Sequence, residues 1–170
     1  MTDAQWRKIA LFTDLTDEEL ALVQPLFTVV LKQAGEYVIE EGEKGDEMFI
    51  LVKGRVRVTK AMILKGMKLP LAELKDPRKV LATVDSNKYP IFGEMALFDH
   101  DVRSATVEAI DDSEFLVTNR DRFYSMIDTA PALLCRLFII LGRRMSLTVR
   151  KSNSELVKLT TALALALTRQ

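Results

Sequence analysis

Cysteine and histidine each occur once in these 170 residues, as Cys135 and His100. A lone cysteine excludes an intramolecular disulfide, a CxxC redox motif and a thiolate-held cluster. Within "ALLCRLFIIL" it reads as a small buried residue of a helix. One histidine makes neither a metal site nor a haem site. No metal is therefore expected, and His100 reads as an exposed loop residue. Around a single histidine no Ser/His/Asp or Cys/His set forms, and no kinase or nuclease motif is present, so catalysis is not expected. Neither sign of charge is in excess, with 24 Lys+Arg against 24 Asp+Glu. That balance gives no support to non-specific nucleic-acid or membrane-surface binding. No run approaches the ~18 apolar residues of a membrane span. The start, "MTDAQWRKIALF", lacks the basic residues and long apolar stretch of a signal peptide. These absences describe a reduced, soluble, cytoplasmic protein, and the length suits a single domain over residues 1–170.

Glycine is sparse too, but its placement is informative. Six of the seven lie between Gly35 and Gly93. Short β-prone runs stand among and around them: "FTVVLK", "EYVIEE", "MFILV", "RVRVTK" and "KVLATVD", then "SATVEAI" and "EFLVT". Eight or so closely spaced strands with turn signals suggest an antiparallel sandwich or barrel over about residues 27–118. Gly42, Gly45 and Gly54 read as turn residues that supply a positive φ.

Both flanks read as helical. "TDEELALVQ" places Thr16 three residues before Glu19, a capping box, and Pro25 ends or bends that helix. "TNRDRFYSMI" repeats the box less well, and a long helix begins near Pro131, so helices occupy about 119–168. The fold class is α+β, with helices outside an antiparallel barrel. The long helix carries Phe138, Gly142, Met145, Val149, Ser152, Leu156, Leu159, Leu163 and Ala166 at alternating spacings of four and three, an a/d heptad series. Near Leu134 and Phe138 this stripe is expected to pack on the barrel. Beyond residue 150 the helix should outrun a small barrel, since 20 residues span ~30 Å. The partner expected there is a second copy of the chain, giving a homodimer through residues 145–166.

Residues 92–109 read "FGEMALFDHDVRSATVEA". A short helix starting at Gly93 or Glu94 would aim free N–H groups at an anion. Arg103 adds a planar, permanently charged fork that matches phosphate oxygens. An ionised Glu94 only accepts hydrogen bonds, so it would take hydroxyl or amine donors. Phosphate on one side and hydroxyls on the other describe a sugar phosphate or nucleotide. Two charges nine positions apart are also compatible with a structural ion pair, and Asp99 and Asp101, close to Arg103 in sequence, are expected to pair with it when the pocket is empty.

This stretch resembles the phosphate-binding cassette of cyclic nucleotide-binding domains, of the catabolite activator and protein kinase A regulatory subunit type. "GEYVIEEGEKGDEMFILVKGRVRV", at residues 35–58, shows that family's glycine spacing and its Gly-Asp before an aromatic-bearing strand. The resemblance implies an antiparallel β-roll (a double-stranded β-helix, jelly-roll-like) with N-terminal helices and a long C-terminal helix. It implies that Glu94 accepts from the ribose 2′-hydroxyl and that Arg103 neutralises the cyclic phosphate, with Ser104 adding a hydroxyl. Gly93 would let the backbone approach, and the amides of Glu94, Met95 and Ala96 would cap phosphate or ribose. "RRMSLTVRK" puts Thr148 where catabolite activators place a base-reading threonine, with Val149 in place of the accompanying serine. The implied ligand is cyclic AMP, with cyclic GMP possible, and the implied partner is a separate downstream protein. Direct DNA reading is not expected, because no helix-turn-helix follows the long helix in this sequence. The competing reading is a degenerate fold serving dimerisation or protein binding. The cassette tip departs from the family in "DHDVRS", which lacks the usual glycine. "YP" stands where a glycine usually precedes the cassette, and residues 61–78 lengthen a connection that is normally short.

Overall fold

The computed structural model describes residues 1–62 and 78–168. The expected 61–78 insertion therefore lies largely outside the described residues. The chain divides into two compact units, Met1–Met126 and Ile127–Gln170.

The first unit opens with α1 (Asp3–Trp6) and α2 (Asp17–Val23). Thr16 caps α2 as predicted: its hydroxyl accepts from the Glu19 N–H, and the Glu19 carboxylate accepts from the Thr16 N–H. That reciprocal pairing satisfies two donors that a helix start leaves orphaned. Trp6, Phe12 and Phe27 pack with ring centroids 5.2–5.6 Å apart, mostly edge to face. Pro25 comes after the helix, inside a single 3-10 turn.

Eight strands come next: β1 (Thr28–Lys32), β2 (Tyr37–Ile39), β3 (Glu47–Lys53), β4 (Arg55–Ala61), β5 (Arg78–Asp85), β6 (Ile91–Phe92), β7 (Thr106–Ala109) and β8 (Ser113–Asn119). They form two four-stranded antiparallel sheets, ordered β1-β8-β3-β6 and β2-β7-β4-β5. The core cluster draws from both: Phe49, Leu51, Phe115 and Val117 from one, Ile39, Val56 and Val107 from the other. This is the antiparallel β-roll of the expected α+β class. Seven strands match the apolar runs. β6 has no run of its own, because two residues are too short to show a period. Gly42 and Gly54 adopt φ of 86° and 94°, as turn glycines should.

β6 belongs to one sheet and β7 to the other, so the cassette between them crosses from sheet to sheet. Its entry is set by Phe49↔Phe92 pairing and its exit by Val58↔Val107. α3 (Arg120–Tyr124) then starts one residue later than the box pattern implied. Asn119, not Thr118, is the cap, and its side chain accepts from the Arg122 N–H.

In the second unit, α5 (Pro131–Leu167) comes after α4 (Met126–Thr129) and runs for 37 residues, about 55 Å. Pro131 occupies its first turn, where a missing N–H costs nothing. Leu133, Leu134, Leu137 and Leu141 are buried and Phe138 is half-buried. Every residue from Ser146 to Thr168 is exposed. Cys135 is exposed, against the buried position expected for it. It lies about 100° around the helix from Leu134, off the buried stripe.

Candidate functional site

Gly93 opens the cassette with φ 73°, a left-handed turn that a Cβ would strain. Glu94–Leu97 then form a one-turn 3-10 helix, as the anion-site pattern predicted. Glu94 is its half-buried first residue, Met95 is exposed, and Ala96 is buried. The Ala96 N–H, expected to cap a ligand, donates to the Gly93 carbonyl at 3.1 Å.

Arg103 is buried and fixed at both ends. Its backbone N–H donates to the Glu43 carbonyl (2.8 Å), and its carbonyl accepts from the Gly42 N–H (2.9 Å). Its guanidinium reaches Glu47. Nη1 donates to the Glu47 carbonyl at 2.8 Å and, at 3.5 Å, to that of Gly93; Nη2 donates to Glu47 Oε2 at 2.9 Å. The Phe49 ring lies 6.0 Å from the guanidinium carbon, within cation–π range. A Cβ on Gly45 would stand 2.5 Å from Nη2, and one on Gly93 would stand 2.7 Å from Nη1. The two glycines thus form the slot that holds the cation.

This corrects two expectations. Asp99 and Asp101 do not pair with Arg103. Asp99 Oδ1 accepts from the Asp101 N–H and Asp101 Oδ1 from the Val102 N–H, so both carboxylates shape the cassette tip instead. Gly45 is not a positive-φ turn residue. Its missing side chain makes room for the guanidinium.

A cavity of about 230 Å³ opens on Arg103 between Glu40, Glu43, Lys44 and Glu47. Neither Glu94 nor Ser104 lines it. Ser104 is exposed beside the arginine, with a hydroxyl that makes no hydrogen bond among the described residues, and its carbonyl accepts from Lys60 Nζ at 2.6 Å. Lys60 also bonds Glu41 Oε1 at 2.9 Å, while Glu41 Oε2 accepts the Ala61 N–H at 2.8 Å. Burial pushes the Glu41 carboxyl up, but the Ala61 N–H and Lys60 outweigh it and hold the group below its usual range. His100 is exposed, as expected, but its ring meets Arg120. Thr148 lies in α5, exposed, with its hydroxyl donating to the Arg144 carbonyl of its own helix at 3.2 Å.

Sequence reasoning named Gly93, Glu94, Arg103 and Ser104 as candidates but missed what surrounds the arginine: Gly45, Glu47 and Phe49. The "GDEMF" run did carry a signal, with Glu47 two and Phe49 four positions after Gly45, a spacing that puts both side chains on one face of a strand.

An eight-stranded β-roll that buries an arginine beneath a glycine-led turn is arranged to hold a small anion. The family model described as cyclic nucleotide-binding domain matches residues 30–130, and the chain belongs to that family. Human cGMP-dependent protein kinase 2 is 33% identical over 124 residues, which are 72% of this chain and 15% of that protein. The cyclic AMP receptor protein of Thermus thermophilus is 27% identical over 146 residues, 86% of this chain and 60% of that one. The chain thus spans about a seventh of the kinase and three fifths of the receptor protein. A solved cyclic nucleotide-binding domain from Methylobacillus flagellatus superposes with a TM-score of 0.72 at 25% identity, over 89% of this chain and 78% of that one. Among the described residues, no helix is long and apolar enough to cross a membrane, and no group of side chains is suited to hold a metal.

Proposed function

We propose that this chain is a cyclic AMP receptor domain that binds and signals without catalysing a reaction. The observation that carries the reading is Arg103: a buried, permanently charged guanidinium held at the end of a cassette whose next residue offers a hydroxyl unpartnered among the described residues. In this reading the cyclic phosphate meets Arg103 and Ser104, and the ribose 2′-hydroxyl donates to Glu94. The resemblance to catabolite activators favours adenine. Cyclic GMP is the second reading, supported by the 33% identity to a kinase named for that nucleotide.

In this reading the signal passes through α5 to a separate protein. A homodimer through residues 145–166 accounts for the exposed Val149, Leu156, Leu159 and Leu163 of the heptad stripe. Truncation after Arg150 should then give a monomer in sedimentation, and a dimer surviving that cut would place the interface elsewhere.

Thermal unfolding with each nucleotide tests the ligand. At about 100 times its dissociation constant a ligand adds ~2.7 kcal/mol. At ~2–4 °C per kcal/mol for a domain of this size, the midpoint should rise by roughly 5–11 °C. No shift at millimolar cyclic AMP or cyclic GMP would leave the degenerate, protein-binding fold as the better account.

A further inference from the structure

Arg120, the first residue of α3, is a cation that none of the expected ligand contacts uses. Its Nε donates to the Ala96 carbonyl at 3.0 Å, and its Nη2 donates to the same oxygen. Its Nη1 meets the His100 ring, bonding Nδ1 and lying 3.0 Å from Nε2. Its backbone N–H donates to the Asp46 carbonyl at 3.1 Å. One residue therefore touches three segments: the 3-10 turn, the cassette tip, and the loop that carries Gly45 and Asp46.

The last carbonyls of a helical turn lack partners within it. Arg120 supplies one with two charge-assisted bonds from a rigid fork, which fixes the Ala96–Leu97 peptide plane. Leu97 is fully buried, so that plane is anchored from both sides. The His100 ring sits against the same guanidinium. Lys44 and Asp46 line the same cleft of about 340 Å³. Asp99 and Asp101 flank the ring in sequence and accept backbone N–H groups of the tip.

We propose that Arg120 is the positioning residue of the cassette: it holds the Ala96 carbonyl and the His100 ring together, and releasing this clamp lowers nucleotide affinity while Arg103 stays in its slot. The affinity claim rests on the nucleotide reading above. The clamp itself does not.

The test uses the full chain, with Arg120→Gln, Arg120→Lys and His100→Asn. Calorimetry is run with cyclic AMP and with cyclic GMP. As the only histidine, His100 gives ring NMR signals that need no assignment. Arg120→Gln should weaken binding at least tenfold, with Arg120→Lys recovering part of it. His100→Asn should weaken binding less than Arg120→Gln, because the bonds to the Ala96 carbonyl remain. In the nucleotide-free protein the His100 ring signals should move on Arg120→Gln. Wild-type affinity in Arg120→Gln would overturn the proposal. If Arg120→Gln does not fold, Arg120→Lys decides it, and wild-type affinity there would overturn the proposal. If the wild type binds neither nucleotide, the functional reading fails together with the affinity claim. Unmoved ring signals would then overturn the clamp as well.

Discussion

Arg103 and Glu47 are joined twice, from Nη2 to the carboxylate at 2.9 Å and from Nη1 to the backbone carbonyl at 2.8 Å. The pair is uneven: the arginine side chain is 8% exposed and the glutamate 45%. The cation carries the burial, while the carboxylate keeps its contact with water. Glu47 can therefore release the guanidinium to an incoming anion at small desolvation cost, and the Glu47 carbonyl keeps the fork oriented.

This asymmetry predicts opposite effects for the two partners. Arg103→Ala should weaken nucleotide binding by ~3 kcal/mol or more, over a hundredfold, because charge-assisted bonds to a phosphate contribute roughly 1.5–3 kcal/mol each. The fold should persist, since the stranded Glu47 is half in solvent. Arg103→Lys should recover only part of the loss, as an ammonium lacks the planar fork. Glu47→Gln should tighten binding by up to ~1 kcal/mol, the scale of a half-exposed ion pair, because it removes a competitor for the guanidinium. Calorimetry on the three variants checks the signs, and weaker binding by Glu47→Gln would make Glu47 a helper instead.

The two slot glycines should fail in different ways. Gly45→Ala meets only the movable end of Arg103, with contacts of 2.5–3.0 Å, and needs no left-handed backbone. It should leave the melting midpoint within a few degrees but weaken binding at least tenfold, ~1.4 kcal/mol, by displacing the guanidinium. Gly93→Ala combines φ 73° with a backbone oxygen 2.8 Å from the new Cβ. It should cost ~1–3 kcal/mol of stability as well. Melting curves beside binding isotherms separate the two.

Tyr89, in the "YP" that precedes the cassette, adopts a left-handed conformation that favours glycine, with φ 45° and ψ 59°. A non-glycine residue there stores ~1–2 kcal/mol of strain. Tyr89→Gly and Tyr89→Ala delete the same ring, but only glycine relieves the backbone. After allowing ~0.4–1 kcal/mol for glycine's extra freedom when unfolded, the glycine variant should be the more stable by up to ~1 kcal/mol. That corresponds to a melting midpoint up to ~4 °C higher. An alanine variant that melts higher would show that no strain is stored there.

Glu41 should make cassette-exit stability depend on pH. Its folded pKa is depressed despite burial, by the Ala61 N–H and Lys60. The stabilisation is therefore full above the ordinary glutamate value of ~4.3 and is lost as pH falls through the lower folded value. Urea unfolding should show the wild type more stable than Glu41→Gln at pH 7, with the gap closing below about pH 4. A gap that does not change with pH would assign the effect to packing.

Local pattern set much of this protein. The Thr16–Glu19 box, Pro131 at the start of α5 and seven of the eight strands were legible because capping and period act between residues a few positions apart. The candidate cassette could be picked out for the same reason, since Gly93, Glu94, Arg103 and Ser104 lie within twelve residues of one another. Tertiary structure alone decided what Arg103 touches. Its nearest carboxylates in sequence, Asp99 and Asp101, turn back onto the tip backbone. Its partner is Glu47, 56 residues away and delivered by β3. The same holds for Gly45, whose lack of a side chain matters only because a distant guanidinium passes beside it, and for Arg120 at His100. Which charge meets which across two sheets is set by strand order and by the crossing of the cassette between them. Neither leaves a periodic mark in the chain, so only the folded structure could show it.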